Sequence, residues 1–170
     1  MREREQKRIF DEWLSGHKRL FFKVVRAYAF TPHDQDDLFQ EIATQVWRSI
    51  PNFQGDSAVT TWIYRVALYS AIAWKRNEKK HRTGRQTFEG VEPTLMEVSH
   101  ASNPRLDWLY EQIAQLDEID RSLTLLMLDG FSYREMAATL GITESNVGVK
   151  INRIKTYLTK ISKEETRNAI

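Results

Sequence analysis

Ser132-Tyr-Arg-Glu-Met-Ala-Ala-Thr-Leu-Gly-Ile-Thr-Glu-Ser-Asn-Val-Gly-Val-Lys-Ile-Asn-Arg-Ile-Lys155 reads as two short helices about a tight turn. Ser132 is a hydroxyl cap with a carboxylate, Glu135, three residues on, the arrangement of a capping box. Met136, Ala137 and Leu140 then share one helical face. Gly141 follows, the residue type that takes a positive φ with least strain. Thr143 can cap a second helix, whose Val147, Ile151, Ile154 and Leu158 repeat at helical spacing. Ala137 is small where the helices must cross, Gly141 comes four residues later and Val147 six beyond that: the spacing of a helix-turn-helix. Such a unit exposes the start of its second helix, which can enter a major groove. The outward positions are Ser145, Asn146, Val149, Lys150 and Arg153. Asn pairs with adenine, Lys and Arg with guanine or phosphate, and Glu144 could accept from cytosine. Tyr133, Arg134 and Lys155 are placed to clamp the backbone. The plainer alternative is a capped helical hairpin with no ligand.

Upstream of this stretch, Leu106, Leu109, Ile113 and Leu116 predict one helix, and Leu123, Leu126 and Met127 another that stops near Asp129-Gly130. Thr83 to Pro104 has Gly84, Gly90, Pro93 and scattered Ser and Thr without helical period, which reads as a flexible linker. Before it, Ile9, Trp13, Leu20, Phe21, Val24 and Tyr28 fall on one face. Thr31-Pro32 suits a cap and first helical position, and Leu38, Ile42, Val46 and Ile50 carry the next helix to Pro51. After the polar loop Asn52–Asp56, Asp56 or Ser57 is expected to cap a third helix with Val59, Trp62, Ile63, Val66, Ala67 and Ala73. The expectation is an all-α chain: two small helical domains, 1–82 and 105–170, joined by the linker 83–104, the second holding the helix-turn-helix.

Charge is distributed unevenly. The net charge of the 170 residues is only +2, but residues 1–82 hold 15 Lys and Arg against 10 Asp and Glu, whereas residues 108–170 hold 8 against 9. The second domain is therefore poorly equipped to bind DNA alone, because affinity rests largely on phosphate neutralisation. The basic excess peaks at Lys75, Arg76, Lys79, Lys80 and Arg82, on a helix that also carries Trp62, Tyr64, Arg65, Tyr69 and Trp74. Rings beside cations suit single-stranded or melted nucleic acid. Asn52, Phe53, Gln54, Gly55, Asp56 and Ser57 could hold an unstacked base. Trp62 at helical spacing reads more readily as core.

Other chemistries find little support. There is no Cys, which excludes disulfides, Cys-ligated zinc and thiol catalysis. No apolar run approaches the roughly 20 residues of a membrane span, and the charged N-terminus lacks an apolar signal core, so no direct membrane insertion and a cytoplasmic location are expected. His33, Asp37 and Glu41 share a helical face, but the second carboxylate-rich helix of a buried two-metal site is missing. With no phosphate-cradling Gly loop and no hydrolase or zinc motif, no cofactor, metal, small-molecule substrate or catalytic residue is expected.

Together, Asp36-Asp-Leu-Phe-Gln-Glu-Ile-Ala-Thr-Gln-Val-Trp47, Asn52-Phe-Gln-Gly55 and Thr61-Trp-Ile-Tyr-Arg-Val-Ala67 resemble the second domain of bacterial sigma factors. Leu116-Asp-Glu-Ile-Asp-Arg-Ser122, Gly130-Phe-Ser-Tyr-Arg-Glu-Met-Ala137 and Asn146-Val-Gly-Val-Lys-Ile-Asn-Arg153 resemble the fourth. A chain with these two domains alone resembles the extracytoplasmic-function (ECF) group of the sigma-70 family. The resemblance implies a promoter-specificity subunit of RNA polymerase that performs no chemistry. It implies that Asp37, Leu38, Gln40, Glu41, Thr44, Gln45 and Trp47 dock on the clamp helices of core polymerase. The 52–59 loop would capture a flipped −10 base, and Arg65, Tyr69, Lys75 and Arg76, with Lys79 and Lys80 beyond them, would meet the −10 region. Thr143 to Lys155 would read the −35 element, the fourth domain would rest on the polymerase flap, and an anti-sigma factor would hold the chain inactive. Ala58-Val-Thr-Thr61 departs from the Ser/Phe-rich start of many members, and Tyr69-Ser-Ala-Ile-Ala-Trp74 is less charged than many.

Linker length gives an independent check. Twenty-two residues reach at most about 75 Å and average about 26 Å when free. Two duplex turns are about 70 Å, so both promoter elements are within reach only if the linker is held extended. The alternative function is a helix-turn-helix regulator acting without polymerase, which leaves the first domain unexplained.

Overall fold

In a computed structural model, residues 1–81 and 103–169 are described, and among them there is no strand. Eight α-helices are found among these residues: α1 Glu3–Gly16, α2 Lys18–Tyr28, α3 Pro32–Ser49, α4 Val59–His81, α5 Pro104–Gln115, α6 Glu118–Leu128, α7 Tyr133–Leu140 and α8 Glu144–Asn168. They fall into two compact units, Met1–Asn103 and Pro104–Ile170. The expected linker lies outside the described residues except for Asn103 and Pro104. Pro104, the last residue of the expected linker, is also the first residue of α5, where its missing N–H costs nothing.

In the first unit α3 packs on α4 and α2, and α1 packs on α3. Phe21, Val24, Val25 and Tyr28 of α2, Leu38, Ile42 and Val46 of α3, and Ile63, Tyr64, Ala67, Leu68 and Ala71 of α4 form the core. The single face expected from Ile9 to Tyr28 is divided between two helices. The break is at His17 (φ −128°, ψ 25°), whose Nδ1–H donates to the Trp13 carbonyl at 2.9 Å while Nε2 accepts from the Thr60 hydroxyl at 3.2 Å. The α3 cap forms as read: Thr31 Oγ1 accepts from the Asp34 N–H. The α4 cap does not. The helix begins at Val59 with the Trp62 N–H on the Ala58 carbonyl, and the Ser57 hydroxyl contacts that same carbonyl instead of capping.

In the second unit Ser132 Oγ accepts from the Glu135 N–H and donates to the Glu135 carboxylate. Gly141 ends α7 at φ 68°, ψ 34°, and its N–H and that of Ile142 both bond the Ala137 carbonyl. Val147, Ile151 and Ile154 of α8 are buried against α6 and α7. Arg121, which the sequence pattern does not single out, is buried. Its guanidinium donates to the carbonyls of Ala114 and Leu116 at 2.9 and 3.0 Å, satisfying the end of α5 and tying it to α6.

Gly141→Ala places a Cβ in left-handed backbone, at a cost of about 1–2 kcal/mol. A thermal melt should show the second unit losing about 4–8 °C per kcal/mol. Trp74→Phe removes the indole N–H that donates to Asp37 Oδ2 at 2.8 Å. It should destabilise the first unit by about 1.5–3 kcal/mol in urea titration, the worth of a hydrogen bond to a charged group.

Candidate nucleic-acid interface

On a helix of 3.6 residues per turn, the buried Val147, Ile151 and Ile154 leave the opposite half of α8 bare. Ser145, Asn146, Val149 and Arg153 lie there, all exposed, Val149 at 58%. Asn152 and Thr156 share that face and are exposed too. Stepping three and seven residues from Val149 would have found them. Thr143 is exposed and serves as the cap, its Oγ1 accepting from the Asn146 N–H at 3.1 Å. Glu144 starts the helix and Lys155 is exposed, but both lie toward the flank that holds Gly148. The Tyr133 ring covers that flank, 3.6 Å from where a Gly148 Cβ would stand. Arg134 is exposed at the second position of α7. Lys150 differs in orientation from the outward position expected of it: its side chain is 19% exposed and its Nζ lies 3.5 Å from Asp120 of α6.

The 52–57 loop is held from beneath by aromatic rings. Phe53 is half-buried between Trp13 and Trp62, with ring centroids 5.3 and 5.4 Å away. The Trp62 indole N–H donates to Ser49 Oγ at 3.0 Å, and Ser49 donates to the Val46 carbonyl. Phe53 is therefore an anchor and not a platform for a base. Asn52, Gln54, Gly55, Asp56 and Ser57 stand exposed above it, and Gly55 turns the chain at φ 78°.

Along α4, Arg65, Tyr69 and Arg76 are exposed at steps of four and seven residues. Tyr64 and Trp74 are core, so the expected mix of rings and cations reduces to Tyr69 with the arginines. The Lys75 ammonium pairs with Glu78 at 3.4 Å, with side chains only 17% and 13% exposed. It also lies 4.8 Å from the centre of the Phe30 ring, a cation–π arrangement. Lys79 and Lys80 belong to α4, but their side chains, like Arg82, lie outside the described residues.

On α3, Gln40, Glu41 and Thr44 are exposed and Gln45 and Trp47 half-buried. Gln45 Nε2 donates to Glu41 at 2.8 Å, and the Trp47 ring meets the edge of Phe10. Leu38 is corrected: it is fully buried and supports the face without being part of it. Asp37 and Glu41 share a groove of about 550 Å³ with Tyr69, Trp74 and Asn77 of α4. Asp37, Glu41 and Gln45 of the α3 set thus line one groove with Tyr69, which was assigned separately from sequence. His33, Asp37 and Glu41 do not gather. Among the described residues no group of three His, Cys, Asp or Glu side chains could hold a metal ion, and no helix is long and apolar enough to cross a membrane.

Residues 13–81 match the family "Sigma-70 region 2", and residues 106–158 match "Sigma-70, region 4". The chain is 25% identical over 169 residues to the ECF RNA polymerase sigma factor SigE of Mycolicibacterium smegmatis, covering 94% of this chain and 65% of that protein. It is 29% identical over 135 residues to the ECF RNA polymerase sigma-E factor of Escherichia coli, covering 72% of this chain and 70% of that one. The fold is similar to CnrH in complex with the cytosolic domain of CnrY, with TM-score 0.66, 20% identity, and coverage of 93% of this chain and 90% of the other. It is also similar to the sigma factor RpoE in complex with the anti-sigma factor NepR from Bartonella quintana, with TM-score 0.67, 18% identity and coverage of 92% and 98%. With both regions present, in this order, and ECF factors as its relatives, the chain belongs to the extracytoplasmic-function group of the sigma-70 family, the promoter-recognition subunits of RNA polymerase.

Proposed function

We propose that this chain joins core RNA polymerase in the cytoplasm and directs initiation at promoters carrying −35 and −10 elements, without catalysing any reaction itself. Residues 1–82 act as sigma domain 2, 83–104 as the connection and 105–170 as sigma domain 4. The observation that carries this reading is the uncovered half of α8, where Asn146, Val149 and Arg153 face outward in a chain that also holds region 2. Asn146 and Arg153 supply hydrogen bonds suited to base edges and phosphates, and Val149 an apolar contact for a thymine methyl group. The exposed loop residues Asn52, Gln54, Asp56 and Ser57 receive an unstacked −10 base, while Arg65 and Arg76 follow the backbone. Gln40, Glu41, Thr44 and Gln45 form the face toward the polymerase clamp, with Trp47 at its margin, and domain 4 rests on the flap.

Energetics explain why the enzyme is needed. Opening about ten base-pair steps costs roughly 14 kcal/mol at about 1.4 per step. Two small units, of which only the first carries a basic excess, contribute only trapped bases and a few contacts toward that sum. The structural relatives bind an anti-sigma factor in one case and the cytosolic domain of CnrY in the other. For this chain we assign an anti-sigma factor as the inhibitory partner.

The test is transcription by bacterial core polymerase from a genomic promoter library, with and without the chain. Transcripts from discrete starts only in its presence are expected. Arg153→Ala should lower initiation about tenfold at promoters that depend on their −35 element, a loss of about 1.4 kcal/mol and within the usual worth of one base contact. A folded, inhibitor-free chain that neither binds core nor redirects initiation would contradict the reading.

A further inference from the structure

Lys150 stands at the edge of the outward face of α8, four residues after Asn146 and three before Arg153. An ammonium extended from there would reach the same DNA backbone as Arg153. It is turned inward instead: Nζ lies 3.5 Å from Asp120 Oδ1, and the two side chains are 19% and 22% exposed. The surface pair Lys7–Asp11 is 70% and 57% exposed by comparison. A cross-helix pair so shielded is less screened by water and salt than an exposed pair. Asp120 lies in the first turn of α6, where its charge suits the helix dipole, but the cap itself does not use its carboxylate. Asp117 is the cap and accepts from the Asp120 N–H, while the Asp120 carbonyl accepts from Thr124. Both bonds use backbone atoms of Asp120.

We propose that Asp120 attenuates DNA binding by the second unit, holding Lys150 off the duplex beside the exposed Arg153. The inference rests on α8 being the DNA reader. Its consequence is one phosphate contact withheld, so that the free chain binds DNA weakly and productive binding depends on the polymerase.

The probe is a fluorescein-labelled, mixed-sequence DNA duplex titrated with the full chain by anisotropy between about 50 and 200 mM salt. Asp120→Asn keeps the backbone bonds and removes the charge. Its log K against log salt should steepen by about 0.9, the slope of one added phosphate contact. Lys150→Gln alone should keep the wild-type slope, and adding it to Asp120→Asn should abolish the gain. An unchanged slope in a folded Asp120→Asn chain overturns the proposal, as does a shallower slope in Lys150→Gln, which would mean that Lys150 already touches DNA. If circular dichroism shows Asp120→Asn unfolded, the Lys150→Gln slope decides alone. If no form binds the duplex yet the chain still directs initiation with core polymerase, the attenuation is wrong and the sigma function stands. If initiation fails too, both fall.

Discussion

The packing of α7 across α8 depends on the left-handed turn at Gly141. With φ at 68°, the chain reverses within Gly141, Ile142 and Thr143, and the buried Ala137 and Val147 are brought into one two-helix unit. The consequence is directional. Burying Val147, Ile151 and Ile154 consumes one half of α8, and among the described residues of the second unit no helix covers the other half. The function proposed for the second unit resides in that remainder. The first unit uses the same logic: Leu38, Ile42 and Val46 face α4 and α2, so Gln40, Glu41 and Thr44 must face outward.

Charge is handled with similar economy. Several cations have partners within the fold. Lys75 is paired with Glu78 beside the Phe30 ring, Lys150 is held by Asp120, and Arg121 closes the end of α5. Arg65, Arg76, Arg134 and Arg153 are exposed on the faces described above. Because duplex affinity scales with the number of phosphates neutralised, such a chain gains occupancy from a partner that brings further cations.

The helix types, the caps at Thr31, Ser132 and Thr143, and the turn at Gly141 were all legible in the sequence, because each depends on residues within one turn of one another. The outward face of α8 was legible for the same reason, apart from Asn152 and Thr156. What could not be read were relations across helices. Nothing local tells that Lys150 meets an aspartate thirty residues earlier, that Phe53 is wedged between Trp13 and Trp62, or that Trp74 donates to Asp37. Helical period likewise ran through His17, where the chain breaks, since the same apolar spacing serves one long helix or two short ones. Leu38 illustrates a different limit. A motif identifies a docking segment as a whole, and only burial separates the residues that touch a partner from those that support them.

The central claim is that two separate recognition surfaces act on one promoter only when assembled on the polymerase. Hydroxyl-radical footprinting of the reconstituted holoenzyme on an activated promoter, beside the chain alone, tests it most directly. The account predicts two protected patches about two helical turns apart, roughly 70 Å, with unpaired bases at the downstream patch and no protection by the chain alone. Protection of paired half-sites by the chain alone, or a holoenzyme footprint confined to one patch, would contradict it.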